Sequence, residues 1–247
     1  MATGNIDLQF LLIPGFGGTG RLFRHLVALF PPGTRVTIAR YPAAADSVVE
    51  LSAAAAEFVD DWSRTVVISE SMGSLVAVDL CRRLSSHPRA AVFCAAFAQS
   101  PRPTLVRLGL AIPSALLHWL ATHSLMIRMA GTAGSGELAS TLQSVTGEMG
   151  ARLFRKRLEI IGSSDIRASL PALTMPSLYL QATADRLVPA CASDEFCSLV
   201  PGIRRTTVAG PHFLLQAAPR ECLREIQSFL AGLESPVSAR VPQTSSR

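Results

Sequence analysis

The stretch that decides the fold is Thr65-Val66-Val67-Ile68-Ser69-Glu70-Ser71-Met72-Gly73-Ser74. Its first four residues are β-branched, which is typical of a buried strand, and the apolar residues that follow Gly73 favour a helix. A serine placed where a strand turns directly into a helix has strained backbone torsions that expose its hydroxyl. The small residues Ser69 and Gly73, two positions before and after Ser71, let the two elements pass close together. Taken alone, the pattern is also compatible with a purely structural turn.

The chain on both sides of this stretch alternates short apolar runs with longer amphipathic segments. Such alternation requires crossover connections, which produce a mostly parallel sheet. We therefore predict a doubly wound α/β fold with a sheet of about six strands and helices on both faces. The predicted strands are residues 6–13, 35–41, 65–69, 90–97, 177–181 and 204–208, and the predicted helices are residues 20–30, 47–62, 71–84, 190–199 and 212–230.

The alternation stops between residues 101 and 170, where the pattern is wholly helical. We expect residues 1–100 and 171–233 to form one core, residues 101–170 a helical cap inserted into it, and residues 234–247 a flexible tail. Residues 108–127 contain no charged side chain and are long enough to span a bilayer. Pro113, His118 and His123 within this run, and its position in mid-domain, favour a lid helix that is buried or faces substrate.

Composition restricts the class of protein. Of the 247 residues, 49% are hydrophobic and 17% are charged, and the net charge of +5 comes from interspersed acidic and basic residues. Such a chain folds around a deep core, and it lacks the basic stripe or reading motif of a nucleic-acid-binding protein. The five cysteines form no metal spacing and no CxxC pair. Their odd number, and the lack of a secretory apolar segment after Met1, favour a reducing, cytoplasmic setting. We expect Cys81 and Cys94 to be small core residues.

Three further segments place glycines or polar side chains directly after predicted strands. The glycine-rich residues 14–20 follow the first strand, Asp185 follows the fifth, and His212 follows the sixth. Loops at the carboxyl ends of parallel strands converge on one crevice, so these segments should meet Ser71 there. Asp185 and His212 could each merely cap a helix. The glycine loop could bind phosphate, but it matches neither nucleotide-binding glycine motif and has no lysine.

With these segments, the chain resembles the α/β-hydrolase superfamily over nearly its whole length. The loop at residues 14–19, the Glu70-Ser71 turn and Ser100-Pro101-Arg102-Pro103 at the start of the cap resemble small carboxylesterase-like serine hydrolases. The sheet would begin at the family's third strand, and the cap would lie between its sixth and seventh strands. Ile13 is a departure, because many relatives carry a histidine there that can brace the glycine loop.

The resemblance implies two-step acyl transfer, in agreement with the chain order Ser, Asp, His. Ser71 would be the nucleophile, His212 the general base and Asp185 the residue that orients His212. The backbone N–H groups of Phe16 and Met72 would form the oxyanion hole. No metal or cofactor is required. Glu70 would either tune His212 or hydrogen-bond behind the turn.

The expected substrate is a small ester with an apolar acyl part, because the cap is rich in aliphatic residues. We predict that residues 105–129 fold over Ser71 and present to substrate Leu116, Leu117, Trp119, Leu120 and Leu125. A thioesterase or acyltransferase with the same triad, and a non-catalytic binding protein on this fold, remain alternatives. The sequence predicts no nucleic-acid partner and no stable membrane span, and it does not indicate an oligomeric state.

Overall fold

The computed structural model describes residues 8–123 and 136–234. Its sheet has six strands, all parallel, in the order β2-β1-β3-β4-β5-β6, so the predicted α/β fold is confirmed. The strands are β1 (Gln9–Ile13), β2 (Arg35–Ile38), β3 (Thr65–Glu70), β4 (Ala90–Cys94), β5 (Ser177–Ala182) and β6 (Arg204–Val208). The chain order reverses direction between β1 and β3, which is the point where such sheets bind ligands.

Side chains of the central strands alternate between two hydrophobic cores, one on each face of the sheet. Leu11, Ile13 and Val67 belong to one core, whereas Leu12 and Ile68 belong to the other. Every residue of β3 is buried, as expected for a strand that lies between β1 and β4 and has helices on both sides. The predicted burial of two cysteines is also confirmed, since Cys81 lies in the first core and Cys94 in the second.

The helices have more varied lengths than the sequence pattern indicates. The α-helices are α1 (Arg24–Val27), α2 (Val48–Ala56), α3 (Gly73–Arg83), α4 (Pro103–Ala111), α5 (Ser114–His123), α6 (Gly136–Ser163), α7 (Ala190–Leu199), α8 (Leu214–Ala217) and α9 (Pro219–Glu234). Ser47 and Glu50 form a capping box that fixes the start of α2. The predicted helix at residues 20–30 is a 3-10 turn, Gly20–Phe23, followed by the short α1.

The single helix predicted for residues 212–230 is two helices. The first ends at Ala217, and Pro219 begins the second. A proline has no backbone N–H and its ring clashes with the preceding turn, so it begins a helix more readily than it continues one. Leu214 and Leu215 of α8 and Ile226 and Phe229 of α9 belong to the same hydrophobic core.

Helices α4, α5 and α6 lie between β4 and β5, and we call them the cap helices. The charge-free run is interrupted, because α4 ends at Ala111 and Ile112 is extended before α5 begins. Gly150 interrupts α6 with a φ of 71°. Among residues 8–123 and 136–234, no helix has the length and apolar character needed to cross a membrane. Residues 124–127 of the run, and the tail from residue 235, lie outside the described residues.

Candidate active site

Ser71 occupies the sharp turn between β3 and α3. Its φ is 53°, a left-handed value that is rare for a residue with a side chain. Its N–H donates to the Cys94 carbonyl at 2.9 Å, and its own carbonyl accepts from the Ser74 hydroxyl at 2.6 Å. A Cβ at Gly73 would lie 2.6 Å from the Ile13 carbonyl oxygen, so glycine is required where the two segments cross. The strained turn is therefore fixed on both sides by backbone contacts.

The structure brings Ser71, His212 and Asp185 together. Nε2 of His212 lies 2.9 Å from Oγ of Ser71, and Nδ1 of His212 lies 2.8 Å from Oδ2 of Asp185. The side chains of His212 and Asp185 are only 3% and 8% exposed, so the hydrogen bonds form in a site that excludes most water. A serine hydroxyl, an imidazole and a carboxylate in this order can move a proton away from the serine oxygen as that oxygen attacks.

Two backbone groups hold the Asp185 carboxylate in place. Its Oδ1 accepts from the N–H groups of Leu187 and Val188 at 2.9 and 2.8 Å, which leaves Oδ2 for His212. Asp165, another acid outside the turn that carries Ser71, is engaged elsewhere. Both of its oxygens are bound by Arg167, whose hydrogen bonds lower the Asp165 pKa to about 2.

Met72 and Phe16 are the residues predicted to supply oxyanion donors; Met72 follows Ser71 in the chain, and Phe16 lines the same cavity as Ser71. Met72 is the buried residue that precedes α3, and Phe16 lies in a turn closed by a 3.1 Å bond from the Gly18 N–H to the Gly15 carbonyl. Within the described part of the chain, neither the Met72 nor the Phe16 N–H has a hydrogen-bond acceptor. A Cβ at Gly15 would lie 2.9 Å from the Glu70 carbonyl oxygen, so the glycine loop presses against the turn that carries Ser71.

Glu70 lines the cavity next to Ser71, but its carboxyl group is buried. Its Oε2 accepts from Nε2 of Gln216 at 3.0 Å, and the residue is 2% exposed. Burial raises the Glu70 pKa to about 7, partly opposed by His212 and by the bond from Gln216. Oε1 of Glu70 and Oε1 of Gln216 have no hydrogen-bond partner among the described residues. A protonated Glu70 could satisfy this pair, because it would supply the missing donor.

A cavity of about 280 Å³ opens over Ser71. Leu117 and Leu120 of α5 line it, as do Leu105, Val106 and Leu108 of α4. The expectation that Leu116 and Trp119 also face substrate is corrected: neither lines the cavity, and they are 49% and 55% exposed. Successive helical residues point about 100° apart, so Leu116 diverges from Leu117 rather than sharing its face. The expected contact through Leu125 lies outside the described residues.

The opposite wall of the cavity comes from α6, which sequence reasoning did not assign to the site. Phe154, Leu158 and Ile161 line it, and the Phe154 ring meets the Phe16 ring edge-on at 4.8 Å between centroids. Their spacing of four and three residues is the signature of one apolar helix face and could have been found in the sequence. Gln216 had no comparable signal.

This fold and this arrangement of residues define an enzyme of the serine-hydrolase type with an α/β-hydrolase core. The family of serine aminopeptidases (S33), Hydrolase_4, matches residues 13–213, and the chain belongs to it. The expected relationship to α/β-hydrolases is therefore confirmed.

Similar proteins agree with this class. A pimeloyl-[acyl-carrier protein] methyl ester esterase of Stenotrophomonas maltophilia is 34% identical over 113 residues, which cover 44% of this chain and 44% of that protein. The match thus spans less than half of that relative. Bromoperoxidase from Bacillus anthracis superposes with a TM-score of 0.75 at 15% identity, covering 91% of this chain and 92% of that one. The esterase RhEst1 from Rhodococcus superposes at 0.73 and 16% identity, covering 94% and 93%.

Proposed function

We propose that this enzyme hydrolyses carboxylic esters through an acyl-enzyme on Ser71, with His212 as general base and Asp185 as its orienting partner. The observation that carries the proposal is the continuous hydrogen-bonded path from Asp185 Oδ2 through His212 to Ser71 Oγ, at 2.8 and 2.9 Å. Esterase activity in general agrees with the family and with the relative named above.

In the first step Ser71 Oγ attacks the ester carbonyl carbon while His212 Nε2 takes the serine proton. The carbonyl oxygen becomes an alkoxide, and the Phe16 and Met72 N–H groups stabilise it. His212 then gives its proton to the departing alcohol, and the Ser71 ester remains. Water attacks this acyl-enzyme with His212 again as base, which releases the acid and restores Ser71.

The cavity favours an aliphatic acyl group, because its described lining is mostly apolar. The one acid among these residues is Glu70, which is buried and bound to Gln216, and the lining also includes the cation Arg102. A peptide with a free amino terminus would find no exposed carboxylate among the described lining residues, so ester substrates fit better than peptide amines. The volume of about 280 Å³ is space for roughly nine water-sized groups, which corresponds to an acyl chain of medium length.

A panel of p-nitrophenyl esters and matched thioesters with two to twelve acyl carbons tests the proposal. We expect ester hydrolysis by the wild type and a loss of about 10⁴-fold or more in kcat for Ser71→Ala. Ser198→Ala, which changes an exposed serine, serves as the control. A Ser71→Ala variant that keeps a tenth of the activity would refute the mechanism.

The same panel separates the related reactions. Faster cleavage of thioesters than of esters would identify a thioesterase, and transfer of the acyl group to added alcohols in preference to water would identify an acyltransferase. The apolar lining makes acyl transfer chemically reasonable, because a dry pocket disfavours water as acceptor. A wild type that fails to react with a fluorophosphonate would instead indicate a binding protein.

A further inference from the structure

The loop that carries the Phe16 N–H is held from one side by Tyr41, which follows β2. The Tyr41 hydroxyl donates to the Pro14 carbonyl at 2.8 Å. At the other end of the loop, Gly18 has a φ of 62°, and a Cβ there would lie 3.1 Å from Cδ2 of the Tyr41 ring. One side chain therefore contacts both ends of residues 14–18, on either side of Phe16.

Arg157 of α6 covers the Tyr41 ring. Its guanidinium carbon lies 5.1 Å from the ring centroid, and the residue is 2% exposed. Within residues 8–123 and 136–234 it has no carboxylate within 4.0 Å, and its Nη1 has no hydrogen-bond acceptor. Asp46, which attracts it from farther away, is paired with Lys156 at 2.5 Å.

A buried cation without a close carboxylate is expensive, and an apolar side chain of similar volume would avoid that cost. The contact with the Tyr41 ring offsets part of the cost, because an aromatic face attracts a cation. The nearby positive charge also favours the ionised form of the phenol and opposes the rise in the Tyr41 pKa that burial causes. The cation thus makes the Tyr41 hydroxyl a stronger donor to Pro14.

The residue that precedes the loop gives it no polar support. Ile13 is fully buried in the core and has no polar side-chain group to offer the loop. Tyr41 comes from the strand next to β1 and reaches the same loop from the side.

We propose that Tyr41 and Arg157 are positioning residues, which fix the oxyanion loop at residues 14–18 and connect it to the cap helix α6. The inference rests on the proposed function, because the loop matters for catalysis only if Phe16 stabilises an oxyanion. Tyr41 acts through the Pro14 carbonyl and Gly18, and Arg157 acts through Tyr41. Neither residue contacts the substrate.

The decisive variant is Tyr41→Phe, which removes the hydroxyl and keeps the ring. The chain has two tyrosines, and the other provides a matched control. Tyr179 is also buried and donates to a backbone carbonyl, that of Ala96, at 2.7 Å. Tyr179→Phe therefore loses this hydrogen bond and the 2.9 Å bond to the Ser193 hydroxyl, both away from the oxyanion loop.

Loss of a direct oxyanion donor costs about 10²- to 10³-fold in kcat. Tyr41 acts one step removed, so we expect roughly a tenfold fall in kcat for Tyr41→Phe. KM should stay within about twofold, because the acyl cavity is unchanged. For Tyr179→Phe we expect a kcat within twofold of the wild type.

The second measurement is the inhibition constant of a trifluoromethyl ketone with a matched acyl chain. A merely structural role of Tyr41 would leave this constant unchanged. Ser71 Oγ adds to the carbonyl carbon of the ketone, His212 takes the proton, and the resulting alkoxide occupies the oxyanion hole. The inhibition constant should rise by the same roughly tenfold factor for Tyr41→Phe and remain unchanged for Tyr179→Phe.

Variants of Arg157 test the proposal independently, and they remain decisive if Tyr41→Phe fails to fold. Arg157→Met should lower kcat about threefold and weaken the ketone equally, and Arg157→Lys, which keeps the charge, should recover part of the loss. In the Tyr41→Phe background, Arg157→Met should have no further effect, because both act through the same hydroxyl.

The two proposals fail differently. A wild type that cleaves no ester in the panel refutes the proposed function. A wild type that cleaves esters, but whose Tyr41→Phe variant matches Tyr179→Phe in kcat and in ketone affinity, refutes only the role of Tyr41. An Arg157→Met variant with unchanged ketone affinity refutes the connection to the cap.

Discussion

The buried carboxyl group of Glu70 should make the stability of the protein depend on pH. Burial raises its pKa from 4.5 to about 7 in the folded state. Between these values the folded protein binds more protons than the unfolded chain, so the free energy of unfolding falls as pH rises from about 4.5 to about 7. Below this window the cost of the buried charge is absent, and above it the cost is fully present.

The magnitude follows from the size of the shift. Each pKa unit corresponds to about 1.4 kcal/mol, so a rise to about 7 corresponds to roughly 3 kcal/mol. Glu70→Gln removes the titration and keeps the shape, and its amide can both accept from Gln216 Nε2 and donate to Gln216 Oε1. The charged neighbours His212 and Asp185 and the buried thiols Cys94 and Cys222 stay in place in both proteins.

Urea unfolding at pH 4, 5, 6, 7 and 8 measures this difference. We expect Glu70→Gln to equal the wild type near pH 4 and to be more stable at pH 8, by up to roughly 3 kcal/mol. Glu57→Gln, at an exposed acid, should stay within about 0.5 kcal/mol of the wild type throughout. A stabilisation that is the same at every pH, or a loss of stability at pH 8, would refute the reasoning.

Three other predictions follow from the site. Asp185→Asn should lower kcat about 10⁴-fold because the wrong His212 tautomer is favoured, whereas Asp165→Asn should cost less than twofold; similar losses in the two variants would contradict the assignment. In the wild type, kcat/KM should rise about fourfold per acyl methylene until the cavity is full, because each buried methylene contributes about 0.8 kcal/mol. Leu117→Ala and Leu120→Ala should flatten that rise while Leu116→Ala leaves it unchanged, and equal slopes in all three would show that α5 does not touch the acyl chain. Gly73→Ala should abolish ester hydrolysis, since the added Cβ would lie 2.6 Å from the Ile13 carbonyl oxygen; full activity with an unchanged far-ultraviolet circular dichroism spectrum would be inconsistent with the crossing of the two segments.

The strands could be predicted because each is a short β-branched or apolar run with breakers on both sides. β6 occupies residues 204–208 as predicted, and β3 extends one residue beyond the predicted end. Parallel pairing brings the carboxyl ends of β3, β5 and β6 to one edge. The meeting of Ser71, Asp185 and His212 at that edge follows from the strand pattern. The hydrogen-bond distances do not, because they depend on loop conformations that no local pattern specifies.

The orientation of α5 shows a different limit of the sequence. The segment is apolar on most sides, so its pattern does not select one face. Leu116 lies four residues before Leu120, a spacing that favours a shared face, yet only Leu117 and Leu120 line the cavity. The structure fixes the orientation through contacts with other helices. Nε2 of His118 donates to the Thr146 carbonyl of α6 at 2.8 Å, and the His118 ring lies 5.8 Å from the Phe154 ring. These partners are distant in sequence, so the face that lines the cavity is decided by packing.

The conformation of the glycine loop depends both on local sequence and on residues that are distant in the sequence. Its glycines are visible in the sequence, and the need for them is local: Gly15 approaches the Glu70 carbonyl, and Gly18 adopts a left-handed conformation. Its support is not local, since Tyr41 lies 27 residues from Pro14 and Arg157 reaches the ring from the cap. The sequence does not indicate that these two residues act together, because one is a tyrosine after an edge strand and the other an arginine within a basic run. Their connection arises because the sheet places β2 beside β1, which brings Tyr41 to the glycine loop, and because Arg157 of α6 packs on the Tyr41 ring.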